Sequence, residues 1–84
     1  MGIYINRAGP QLAQAGDPFT QREIEVLNAL AEGLSNKEIA ERLVVVAKTV
    51  EFHTSQIRRK LGIVGASERR LVVEAVRRTS VGVI

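Results

Sequence analysis

The sequence predicts an all-α fold: a compact four-helix domain with helices over about 21–32, 36–43, 47–61 and 67–78, the middle pair forming a helix-turn-helix. Three observations predict it. T-Q-R-E at 20–23 and S-N-K-E at 35–38 each place a hydroxyl residue three positions ahead of a glutamate, the signature of a capping box. Apolar residues follow each box at three-and-four spacing, which lines one face of a helix. Gly33 and Gly62 fall where helical periodicity stops, and glycine readily takes the left-handed conformation that ends a helix.

The first helix begins after Thr20, with Phe19 and Ile24 spaced as a hydrophobic staple and Ile24, Leu27, Leu30 and Ala31 as its inward face. The second begins after Ser35, with Leu34 and Ile39 as its staple and Ile39, Ala40 and Leu43 inward. The third turns Val50, Ile57 and Leu61 inward, with Thr54 on the same side. Its remaining face holds Lys48, Thr49, Glu51, Phe52, Ser55, Gln56 and Arg59. A helix with one buried side and one polar, cation-bearing side, following a short helix and a tight turn, meets the requirements of a recognition helix. The fourth has Ser67 as its cap, Glu68 at its positive end and Arg77 and Arg78 at its negative end. Leu71, Val72, Ala75 and Val76 form its packing stripe, and Val73 lies off it. Residues 1–18 carry three glycines, two prolines and no sustained period; they read as a leader or linker, with an extended stretch at 3–5. Residues 80–84 read as a short apolar tail, which leaves 19–79 as the folded domain.

Eighty-four residues suit one small domain rather than a deep enzyme pocket. There is no cysteine and one histidine, so no thiolate or histidine-cluster metal site is expected, and no cofactor. No apolar run approaches a membrane span, and the start lacks a secretory pattern, so the expectation is a cytoplasmic protein without a membrane partner. The net charge of +3 is unevenly spread. Residues 48–84 hold eight basic and three acidic side chains, whereas 17–47 hold three basic and six acidic. The second half is electropositive, which suits either a phosphate-facing surface or a plain solvated one.

The stretches T-Q-R-E-I-E-V-L at 20–27, A-E-G-L-S-N-K-E-I-A-E-R-L at 31–43, K-T-V at 48–50 and H-T-S-Q-I-R-R-K-L-G at 53–62 together resemble the LuxR-type helix-turn-helix domain of bacterial transcription regulators. The resemblance implies a sequence-specific module that binds double-stranded DNA, with helix 47–61 in the major groove. It implies base contacts at Glu51, Phe52 and Ser55. Their chemistry suits that role: a carboxylate accepts from a cytosine amino group, a phenyl ring presses a thymine methyl, and a hydroxyl bonds several base edges. Lys48, Thr49, Arg58, Arg59 and Lys60 read as phosphate contacts, as do Asn36 and Lys37 at the opening of helix 36–43, where free backbone N–H groups favour an anion. His53 has either a packing or a phosphate-bonding role. Phe52 is the other open case, groove or core, but Val50, Ile57 and Leu61 already fill the inward side.

The resemblance also implies a homodimer on DNA, with Val72, Val73 and Val76 of the last helix as interface candidates. By sequence alone that helix serves equally well to close the core. RNA polymerase is a further candidate partner, and a receiver or ligand-sensing domain usually precedes such a module. Two residues depart from the family pattern. Val46 stands where a small hydroxyl residue usually caps the recognition helix, and a missing cap costs about 1 kcal/mol. Glu51 stands where many members carry a basic residue. Two other functions remain compatible with the chain: a promoter-reading domain like that of a sigma factor, and a helical protein-interaction module that has lost DNA binding. An enzyme is not expected, because no paired carboxylates, metal-ligand spacing, nucleophile constellation or phosphate-cradling glycine loop is present.

Overall fold

Thr20 and Ser35 start two consecutive helices by the same reciprocal bonding. Thr20 Oγ1 accepts from Glu23 N at 3.1 Å while Glu23 Oε1 accepts from Thr20 N at 2.9 Å. Ser35 Oγ accepts from Glu38 N at 3.2 Å, and Glu38 Oε1 accepts from Ser35 N at 2.8 Å. The Ser35 backbone N–H, and then its hydroxyl, hold the Glu38 carboxyl below its ordinary range. This contribution to stability is therefore present at neutral pH and is lost as pH falls through the lowered value.

A computed structural model describes residues 13–81, with side chains through Thr79. Four helices follow in order: α1 (Gln21–Ala31), α2 (Asn36–Leu43), α3 (Ala47–Leu61) and α4 (Glu68–Val81), with no strand among the described residues. The expected α1 closes one residue earlier, with Glu32 as its cap. The expected α4 begins one residue late and runs past Arg78 to Val81, taking in residues assigned to the tail. Nothing before Gly82 breaks a helix, and Thr79 Oγ1 donates back to Val76 O at 3.2 Å. Ser67 Oγ accepts from Arg70 N, as a capping residue should. The 3–5 stretch and residues 82–84 lie outside the described residues.

One core joins the helices: Val26, Leu27, Ala29 and Leu30 of α1, Ile39 and Ala40 of α2, Val50 and Ile57 of α3, Ile63 of the following loop, and Leu71 and Ala75 of α4. Here α1 differs from the sequence reading. Ile24 is 40% exposed, and the buried row is Glu23, Val26, Leu27 and Leu30. The inward stripe thus begins on a carboxylate, which is partnered by Lys60. The Lys60 Nζ also donates to Pro18 O at 2.9 Å. The Phe19 ring lies between two cations, 6.0 Å from Lys60 Nζ and 5.5 Å from the Arg78 guanidinium, close enough for both to gain from its π-face.

Residues 13–18 were expected to belong to a leader; they pack on the domain instead. Ala13 is buried, Asp17 closes a turn onto Gln14, and Gly16 N donates to Lys60 O at 3.0 Å. Gly16 has φ 91°, a conformation that favours glycine.

The α2–α3 turn rests on Val44, with φ 58° and ψ 49°. A β-branched residue is strained in this left-handed region by roughly 1–2 kcal/mol. Its side chain is 88% exposed and gains nothing from packing in return. Val45 turns inward to the core, with its N–H donating to Ala40 O at 3.0 Å. Val46 precedes α3 without a side-chain cap bond, as the sequence predicts.

Two outcomes follow from this packing. Val44→Asn, which tolerates the left-handed conformation, should stabilise the domain by about 1 kcal/mol and raise Tm by roughly 4–8 °C in a thermal melt. An unchanged or lower Tm would show that the turn carries no such strain. Lys60→Ala leaves the Glu23 carboxylate buried and unpaired, and should cost about 3–5 kcal/mol in urea denaturation. The double variant Glu23→Gln/Lys60→Met should recover most of that loss.

Candidate nucleic-acid interface

Helix α3 presents two sides with different chemistry. Val50, Thr54 and Ile57 are buried, and the Thr54 hydroxyl is satisfied locally by donating to Glu51 O at 2.9 Å. On the far side, Lys48, Glu51, Phe52 and Ser55 are exposed and Arg59 is half-buried, at spacings of three and four that keep them on one broad face. Phe52 is 54% exposed, so it is not a core residue; its ring meets His53 edge-on at 5.7 Å. Thr49, His53 and Gln56 stand half-buried along one flank of this face. The sequence reading placed Gln56 on the outer side but gave it no role, although its position three residues before Arg59 puts it beside the candidates.

The cations divide into engaged and disengaged groups. Lys37, Lys48 and Arg59 make no ion pair among the described residues. Lys37 and Lys48 are exposed, one opening α2 and one opening α3. Arg58 is bound to Glu68 at 3.2 Å, which ties α3 to the first turn of α4. Lys60 departs from the phosphate role expected of it. Its side chain is 9% exposed and its ammonium is held by Glu23 and Pro18 O. A run of basic letters, R-R-K, does not reveal which member turns inward; the inward-facing acid at Glu23, on the row of Val26 and Leu27, was the available signal.

At the start of α2, Asn36 is half-buried and its Oδ1 has no hydrogen-bond partner among the described residues. The Arg58 Nε–H is likewise buried and unpartnered. A cavity of about 320 Å³ lies against α3, lined by Ser55, Arg58, Arg59 and the 64–66 loop. Val72 of α4 is half-buried, while Val73 and Val76 are 45% and 40% exposed. Val73 and Val76 thus lie on the solvent side of α4, away from the buried Leu71 and Ala75, with Val72 at its margin. Among the described residues no group of histidines and carboxylates could hold a metal, and no helix is long and apolar enough to cross a membrane.

Residues 17–74 match the profile of bacterial regulatory proteins, luxR family, which covers more than half of the chain. The chain belongs to that family. It carries the family's helix-turn-helix DNA-binding domain of transcription regulators, with α2 and α3 as the motif. Among curated proteins, it is 43% identical over 63 residues to the oxygen regulatory protein NreC of Staphylococcus aureus (strain bovine RF122 / ET3-1), covering 71% of this chain and 29% of that protein. The NreC of Staphylococcus carnosus (strain TM300) matches to the same extent. The chain thus spans less than a third of the length of these relatives. No solved structure matches significantly.

Proposed function

We propose that α3 enters the DNA major groove and reads sequence there, as one half of a homodimer. The observation that carries this reading is the outer face of α3, where Lys48 and Arg59 flank Phe52 and Ser55 without ion-pair partners among the described residues. Glu51, Phe52 and Ser55 contact base edges. Asn36, Lys37, Lys48, Thr49, His53 and Arg59 contact phosphates and set the register. Arg58 joins them by exchanging Glu68 for a phosphate, a low-cost exchange because Glu68 is 60% exposed and such pairs are weak. Lys60 is left out of the set, since moving it would strand Glu23.

Val72, Val73 and Val76 supply the self-complementary apolar patch of the dimer. We assign the module to transcription control in the bacterial cytoplasm, with RNA polymerase as the machinery it influences. Its similarity to proteins named for oxygen regulation supports a regulatory setting of that kind.

A salt titration on duplex DNA tests the reading. The logarithm of the binding constant should fall by about 0.9 per phosphate neutralised for each unit of log salt. Lys48→Ala should make that slope shallower by about one while leaving urea stability within about 0.5 kcal/mol of the parent. A salt-independent response would remove DNA from the function. For the dimer, Val73→Glu should leave the melt unchanged and reduce the protein–DNA stoichiometry seen by sedimentation from two chains to one; an unchanged stoichiometry would move the interface off α4.

A further inference from the structure

We infer that Glu51 selects a cytosine in the operator and acts against all other bases at that position, a specificity filter inside an otherwise cationic face. The inference rests on the major-groove reading above and adds to it the identity of one base pair.

All nine carboxylates of the chain lie among the described residues, and seven have a partner. The two without one among the described residues are Glu41, on the solvent side of α2, and Glu51, in the middle of the outer face of α3. Lys48 lies one turn before Glu51, at a spacing where an ion pair could form, yet none does. Both charges therefore point outward unspent. The backbone that presents Glu51 is fixed from beneath, because Val50 and Thr54 on either side of it are buried and the Thr54 hydroxyl is bonded to Glu51 O.

An ionised carboxylate only accepts hydrogen bonds. In the major groove, guanine offers acceptors at N7 and O6, and thymine offers O4 with its methyl, so neither satisfies it. Cytosine offers the N4 amino group, and adenine offers an N6 amino group beside the N7 acceptor. The second carboxylate oxygen is repelled by N7 at adenine but meets only the C5–H edge at cytosine. Cytosine is thus the base that satisfies Glu51 without a clash. Over guanine and thymine the carboxylate is desolvated near phosphates with no donor, and over adenine its one donor comes with the repelling N7, so binding there is weakened. The residue lowers affinity in general and restores it at one base pair, which is how specificity is made from repulsion.

Selection of bound duplexes from a random library by the 84-residue protein at low salt tests this, with Glu51→Gln and Glu51→Ala in parallel. Glu51 is exposed, so both variants should fold like the parent. The parent should enrich a motif with one C·G column preferred by about 5–150-fold. Glutamine makes a bidentate pair with adenine N6 and N7, so the same column should turn to A·T in Glu51→Gln. In Glu51→Ala it should become flat, with the other columns retained. Both variants should bind random DNA several-fold tighter than the parent, since an anion has left the face. A C·G column that survives in Glu51→Ala, or a motif that Glu51→Gln leaves unaltered, overturns the inference while sequence reading stands. A parent that enriches no motif overturns both, and so the two failures are distinguishable.

Discussion

Glu23 Oε1 accepts both the Thr20 N–H that opens α1 and the Lys60 ammonium near the end of α3. The rest of the domain depends on this shared acceptor. Without the lysine, a carboxylate 5% exposed would sit uncompensated at the edge of the core, and without the glutamate the ammonium would face the same cost. The pair fixes the rotation of α3 about its own axis, because Lys60 must turn toward α1 at the same time as Ile57 and Val50 turn into the core. The outer face is what that rotation leaves over. Phe19 supports the arrangement from one side, its ring shared between Lys60 and Arg78, so that α4 is joined to the same point.

The outer face of α3 is electropositive by subtraction. Arg58, Lys60, Arg70 and Arg77 are occupied by carboxylates within the domain, and what remains for a ligand on α3 is Lys48 and Arg59, with Lys37 beside them on α2. Counting basic residues therefore overstates the cationic surface. The strained turn at Val44 and the uncapped start at Val46 sit directly before Lys48, so the least stabilised part of the motif adjoins the outer face of α3.

Much of the architecture was legible because it is written locally. Capping boxes are three-residue spacings, and both formed as spelled; Gly62 ended α3 in the left-handed region, and Phe52 stood outside the core. What could not be read depended on distant partners. The role of Lys60 is decided by a residue 37 positions away. The three valines at 44–46 contain no glycine or asparagine to announce which of them turns left-handed; only the packing of Val45 decides that. The end of α4 lies beyond the expected residue 78 because an apolar tail composition does not stop a helix and no residue before Gly82 is a breaker. In the candidate site, Lys48, Glu51, Phe52 and Ser55 were expected on the outer face of α3 and are exposed, Thr49, Gln56 and Arg59 are half-buried at its edges, and the availability of each cation required the ion pairs.

The strap at residues 13–18 gives the domain a mechanical asymmetry. Both of its bonds into α3 go to Lys60, one from Gly16 N–H to the backbone and one from the side chain to Pro18 O. Twelve residues separate Lys60 from Lys48, roughly 18 Å along the helix. A pull applied ahead of α1 would act on the rear of that rod, with the buried Val50–Ile57 stretch as the fulcrum. Lys60 lies three residues beyond Ile57 and Lys48 two residues before Val50, so a rigid tilt of α3 would carry a displacement at the strap to Lys48 without enlarging it, while Glu51 and Phe52, within the buried stretch, would stay almost still.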